Sequence, residues 1–125
     1  MIWVIFGLGI DIVSLKRIAE TDLQKLIGRI LTEREQGYLP ELQLKRLETL
    51  AGRFAAKEAI SKALGTGIGK RCSFLDIEVI NDKSGVPQAT LSSKATQIIN
   101  RDFKIHLALS HEREYAVATA VIELI

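Results

Sequence analysis

The stretch from Pro40 to Gly65 constrains the fold of this chain most. Pro40 suits the first position of a helix, where a missing N–H costs nothing and a fixed φ is already helical. Gly65 supplies a stop, so the pattern predicts one long helix ending near Leu64. At 100° per residue, Leu47, Leu50, Ala51 and Phe54 share a face that belongs toward a core. Glu58, four residues after Phe54, lies on that same face. A carboxylate there is costly unless it is paired or bound to a cation. Lys62 is one turn further on and can pair with it, while Arg53 and Lys57 lie to one side. Two readings stay open. Glu58 and Lys62 form a structural pair on a half-exposed flank, or Glu58 faces a cation or polar substrate and Lys62 neutralises a second negative group. The loop Gly65-Thr66-Gly67-Ile68-Gly69 supports the second, because small residues let backbone N–H groups approach phosphates.

Around this helix the chain has the size of one domain, residues 1–125. It carries 17 basic against 15 acidic residues, which argues against a dedicated nucleic-acid binder. A hydrophobic share of 47% with 26% charged residues excludes wholesale disorder. The single cysteine, Cys72, cannot close an internal disulfide, and a reducing, cytoplasmic setting is expected. Met1 to Ile10 is strongly apolar, but it lacks a basic start and a cleavage site, and Asp11 follows at once. No signal peptide is expected, and the run is too short to span a bilayer. Its Ile, Val and Phe content predicts a first strand over Ile2–Leu8, buried on both faces.

Short helical pieces follow Asp11. Thr21 with Gln24, and Thr32 with Glu35, read as capping boxes. Phe74–Ile80 reads as a strand, Asn81 to Gly85 as a turn, and Pro87–Leu91 as a short edge strand. Ser92 can cap a helix to about Arg101. Over Lys104–Ser110 the residues alternate, with Ile105, Leu107 and Leu109 on one face and His106, Ala108 and Ser110 on the other. Tyr115–Leu124 is a final apolar strand. The sum is an α+β domain, a mostly antiparallel sheet packed against a long helix. A sheet edge or apolar face that needs cover can be covered by a second copy of the chain.

Asp11 stands in Gly7-Leu8-Gly9-Ile10-Asp11. It is either a helix cap or a site of chemistry. Two carboxylates with no Cys or His cluster suit Mg²⁺ rather than Zn²⁺. Familiar phosphate motifs fail: Gly7 and Gly9 lead to Ile12 where a dinucleotide fingerprint needs glycine, and Arg71 follows Gly69-Lys70 where a P-loop needs Ser or Thr. Ser110 and His111 are strand neighbours that point to opposite faces, which argues against a serine hydrolase. Lys16, Arg17, Lys25 and Arg29 cluster against Glu20 and Asp22. They form either a solvated helix face or a patch that steers an acidic partner.

Taken together, Gly7-Leu8-Gly9-Ile10-Asp11-Ile12-Val13, Arg29 to Glu35, Leu50 to Ala59, Lys62 to Gly69, Asp76 to Val79, Gly85-Val86-Pro87 and Leu109 to Glu112 resemble the holo-acyl-carrier-protein synthases. These are the small bacterial 4′-phosphopantetheinyl transferases. The resemblance implies transfer of 4′-phosphopantetheine from coenzyme A to a serine of apo-acyl carrier protein, releasing adenosine 3′,5′-bisphosphate, within fatty acid biosynthesis. It implies Mg²⁺ held by Asp11 and Glu58, with Lys62 on the phosphates and Glu58 as the base. Arg53, Lys62, Gly65, Thr66, Gly67, Ser110 and His111 match positions that contact coenzyme A. Arg17 and Arg29 match positions for carrier contact or nearby structure, and Lys16 and Lys25 join them in the basic patch. A cytoplasmic homotrimer with sites between subunits is implied, with no nucleic-acid or membrane partner. A polyketide or peptide synthetase carrier is an alternative substrate, and an inactive carrier-binding module an alternative role. Ser14 and Leu26 depart from the family, which usually has an acidic and an aromatic residue there, and the start, with Trp3, is longer than usual.

Overall fold

The structure is a computed structural model and describes residues 4–125, so Ile2 and Trp3 lie outside the described residues. The elements run β1 (Ile5–Ser14), α1 (Leu15–Ala19), α2 (Leu23–Ile30), α3 (Glu33–Gln36) and α4 (Gln43–Leu64), then a 3-10 turn (Phe74–Asp76). β2 (Ile77–Asn81), β3 (Pro87–Leu91), α5 (Ser93–Ile99), β4 (Phe103–His111) and β5 (Tyr115–Leu124) complete the chain. The α+β class with a long helix against antiparallel strands is as the sequence implies. The strands divide into two sheets, β1-β5-β4 and β2-β3, with every pairing antiparallel.

Four local features differ from expectation. First, α4 begins at Gln43, three residues after Pro40. Leu42 occupies the cap without a side-chain hydrogen bond, and the Pro40 carbonyl accepts from Arg46 Nη1 at 3.3 Å instead of from a helical amide. Second, α2 is capped by Asp22, whose Oδ1 accepts from the Lys25 amide, so the Thr21–Gln24 box does not form. The Thr21 hydroxyl is spent on the Ile18 carbonyl, at 2.6 Å, closing α1. The Thr32–Glu35 box forms in both directions. Third, Phe74–Asp76 is a 3-10 turn, not a strand. Asp76 Oδ2 accepts from both the amide and the hydroxyl of Ser73, winding the chain before it extends at Ile77. Fourth, α5 stops at Ile99, where Asn100 takes the left-handed conformation.

The largest difference lies in β1. It runs through Asp11 to Ser14, since its pairing with β5 continues to Ser14 opposite Tyr115. It is buried on one face, not two. Gly7, Gly9, Asp11 and Val13 turn toward α4, while Leu8, Ile10 and Ile12 remain 68%, 59% and 63% exposed. The inward face of β5, Ala116, Ala118, Ala120 and Ile122, is fully covered. Its small residues let α4 lie close, and that closeness sets the site.

Candidate active site

Gly7 and Gly9 explain how a strand carboxylate meets a helix carboxylate. A Cβ at Gly7 would collide with the carbonyl of Ala63, and one at Gly9 with the carbonyl of Ala59. Backbone therefore packs directly on backbone, an approach only glycine permits. Asp11 is two residues beyond Gly9 on the same strand face, and Glu58 immediately precedes Ala59. The period of two along β1 and of about four along α4 thus bring Asp11, Glu58 and Lys62 together. Lys62 Nζ donates to Asp11 Oδ1 at 3.1 Å and to the Ile10 carbonyl at 3.0 Å. The expected Glu58–Lys62 pair is replaced by this Lys62–Asp11 pair. Burial, and then the charge of Asp11, push the Glu58 carboxyl above its ordinary value, while Lys62 and Arg29 pull it partly back.

Beside these residues lies a depression of about 460 Å³ bordered by Asp11, Arg17, Leu26, Arg29, Phe54 and Glu58. Arg29 stands over the Phe74 ring, 5.7 Å from its centroid. Arg17 and Arg29 therefore share the depression with the two carboxylates, whereas Lys16 and Lys25 are exposed and do not line it. Both departures fit here. Ser14 caps α1 by accepting from the Arg17 amide, and Leu26 is buried in the wall.

A second, larger cleft of about 610 Å³ is bordered by Lys45, Glu48, Arg53, Asn81, Ser110 and His111. Arg53 Nη2 donates to Asn81 Oδ1 at 3.1 Å, and His111 Nδ1 lies 3.2 Å from Glu48 Oε2. Burial lowers the pKa of Arg53, partly offset by the charge of Glu35; a guanidinium stays charged regardless. The sequence-derived site residues thus fall in two groups. Arg53, Ser110 and His111 share this cleft, while Asp11, Glu58 and Lys62 form the first group. Nine residues separate Arg53 from Lys62, about 180° of helix rotation, so they occupy opposite sides of α4, whereas Glu58 and Lys62 differ by about 40°.

The Gly65 loop is arranged otherwise than expected. Gly65 adopts the left-handed conformation and donates to the Lys62 carbonyl. The amides of Thr66 and Gly67 both donate to Ser61, and that of Gly69 to Cys72. Those amides are committed within the chain, so what the loop offers a ligand is close backbone approach.

One buried feature escaped the sequence reading. Lys57 is fully buried and donates to Glu35 Oε1 at 2.6 Å, to the Phe74 carbonyl at 3.1 Å and to the Ile30 carbonyl. Glu35 Oε2 in turn accepts from the Val79 amide at 2.8 Å. One ammonium thus fixes the end of α2, α3 and the 3-10 turn to α4. Desolvation lowers the pKa of Lys57, and Glu35 counters it. The signal was spacing: Lys57 is seven residues after Leu50, within about 20° of it on the helix.

The comparisons agree with this geometry. Residues 7–120 match the model of the 4′-phosphopantetheinyl transferase superfamily. The chain belongs to that superfamily. A holo-[acyl-carrier-protein] synthase of Geobacillus sp. (strain WCH70) is 49% identical, over 95% of this chain and 97% of the relative. The Bacillus cytotoxicus enzyme of the same name is 52% identical over 95% and 96%. Among solved structures, a Bacillus anthracis holo-(acyl-carrier-protein) synthase in complex with CoA (3′,5′-ADP) superposes with a TM-score of 0.86 at 48% identity, covering 98% of this chain and 100% of that one. A Helicobacter pylori holo-[acyl-carrier-protein] synthase in complex with coenzyme A gives 0.81 at 36%, covering 92% and 98%. The chain is thus an enzyme, a 4′-phosphopantetheinyl transferase.

Proposed function

We propose that this chain moves the 4′-phosphopantetheine arm of coenzyme A onto a serine of an apo-acyl carrier protein, releasing adenosine 3′,5′-bisphosphate, in cytoplasmic fatty acid biosynthesis. The observation that carries the reading is the meeting of Asp11, Glu58 and Lys62 across the glycine seam. In the step, the serine oxygen forms a bond to phosphorus and the pyrophosphate P–O bond breaks. The serine proton passes to Glu58, whose carboxyl, held above its ordinary value by burial and Asp11, is a stronger base than a free carboxylate. Lys62 has a third N–H beyond its two bonds, and its half-exposed side chain can direct it to the phosphates.

Asp11 and Glu58 fit Mg²⁺. They are hard oxygen donors, the charge of Asp11 disfavours that of Glu58, and Mg²⁺ commonly takes one or two carboxylates with water and substrate phosphate completing its shell. Bound there it would neutralise charge on the pyrophosphate. Arg17 and Arg29 border the same depression and suit contact with an acidic carrier, with the exposed Lys16 and Lys25 steering its approach.

The coenzyme A residues on opposite sides of α4 support a site built between copies of the chain. Arg53, Ser110 and His111 of one copy would face Asp11, Glu58, Lys62 and the Gly65, Thr66 and Gly67 loop of the next. The exposed Leu8, Ile10 and Ile12 provide an apolar face for such an assembly, and the family resemblance supports a homotrimer. Intact-mass measurement of an apo-acyl carrier protein, incubated with the enzyme, coenzyme A and Mg²⁺, tests the reaction. The expected result is a gain of one phosphopantetheine; no gain with several carriers would overturn it.

A further inference from the structure

The cleft that holds Arg53 and His111 also contains a carboxylate, Glu48, which would repel an anionic ligand. Direct binding does not account for it. Its position does: Glu48 is the more buried member of its pair, with a side chain 22% exposed, and its Oε2 lies 3.2 Å from His111 Nδ1. With Nδ1 engaged, the ring's other nitrogen is left for the cleft. Arg53 is held in a parallel way. Asn81, at the end of β2, accepts one of its N–H groups and leaves the rest of the guanidinium available. Each of these side chains is therefore anchored by a residue from another element: His111 of β4 by Glu48 of α4, and Arg53 of α4 by Asn81 of β2.

We propose that Glu48 and Asn81 are positioning residues that hold His111 and Arg53 ready for an anionic group of the nucleotide end of coenzyme A. This rests on the transferase reading above. Neither residue touches the ligand. Both reduce the freedom the two side chains would lose on binding, the way preorganisation raises affinity.

The test uses the full chain. Binding of adenosine 3′,5′-bisphosphate is measured by calorimetry and turnover by varying coenzyme A, for Glu48→Ala, Glu48→Gln, Asn81→Leu and Asn81→Asp, with thermal unfolding as a check on the fold. Glu48→Ala and Asn81→Leu are expected to weaken nucleotide binding and raise KM for coenzyme A by about five- to tenfold, the scale of one hydrogen bond, with kcat within about twofold of wild type. Glu48→Gln and Asn81→Asp keep an acceptor at the same place and should recover most of the loss. Unchanged or tighter binding by Glu48→Ala and Asn81→Leu would overturn the inference, as would a fall in kcat alone. A wild-type chain that binds no adenosine 3′,5′-bisphosphate would instead overturn the transferase reading beneath it.

Discussion

The two depressions of this molecule lie against one helix and combine their charges differently. One sets Asp11 and Glu58 beside Arg17 and Arg29, at a seam where strand and helix backbones touch and Lys62 bonds Asp11. The other sets Arg53, Lys45 and His111, with Glu48 beside His111, on the far side of the same helix. On the reading proposed above, the first would hold a metal and take a proton, and the second would hold an anion. On that reading, α4 serves two sites at once, and a neighbouring copy joins the halves.

The sharpest way to break the carboxylate half is Glu58→Ala, expected to reduce transfer by about a thousandfold or more, as for the loss of a group acting in the transition state. The raised carboxyl fixes the sign for stability. Glu58 binds its proton more tightly folded than unfolded, so it penalises folding once the pH exceeds the ordinary carboxylate value, and the penalty vanishes well below it. At neutral pH the variant should therefore unfold at or above the wild-type temperature.

Its neighbour, Lys57, should behave in reverse. Lys57→Met strands the buried Glu35 carboxylate and should cost about 3–5 kcal/mol in denaturant unfolding, while Lys57→Met combined with Glu35→Gln should cost clearly less than the sum of the two single changes. Next in size, Gly9→Ala forces α4 away from β1. A loss of about 1–3 kcal/mol is expected, with transfer falling further than stability explains because Asp11 and Glu58 separate. Equal effects of Gly9→Ala and Gly52→Ala on transfer would argue against the seam, since a Cβ at Gly52 meets nothing within 4 Å.

The smallest effect lies away from both depressions. Asp76 is pushed up by its partial burial, but hydrogen bonds from Ser73 and Ser92, with Lys94 nearby, outweigh this and hold its carboxyl below the ordinary value. Its contribution is therefore present above the unfolded-state pKa and lost as the pH falls through the folded one. Asp76→Asn should lower stability at neutral pH and flatten its decline below about pH 4, read from urea midpoints across pH. Neither depression's binding should change.

Much of this was legible in the sequence because it depends on local rules. The Thr32–Glu35 box, the Gly65 stop, the alternation over β4 and the bounds of β5 follow from capping and periodicity. Asp11 and Glu58 stood out as carboxylates in apolar settings. What sequence reading missed depends on contacts between distant segments. The apolar residues of β1 suggested burial on both faces, yet Leu8, Ile10 and Ile12 stay exposed among the described residues. Lys57 reads as a surface residue until Glu35, Ile30 and Phe74 converge on it. Glycines 7 and 9 failed as a phosphate motif because their role is to admit a helix, which only the packed structure displays.

The central claim, that one site joins the two halves from different copies, is tested most directly by mixing two crippled chains. Arg53→Ala keeps the carboxylate half, and Lys62→Ala keeps the cationic half. Each alone should be nearly inactive at limiting coenzyme A. Refolded together in equal amounts, they should regain about a quarter of the wild-type rate, because one interface in four then joins two intact halves. A mixture that forms mixed assemblies yet transfers no faster than its components would contradict the account.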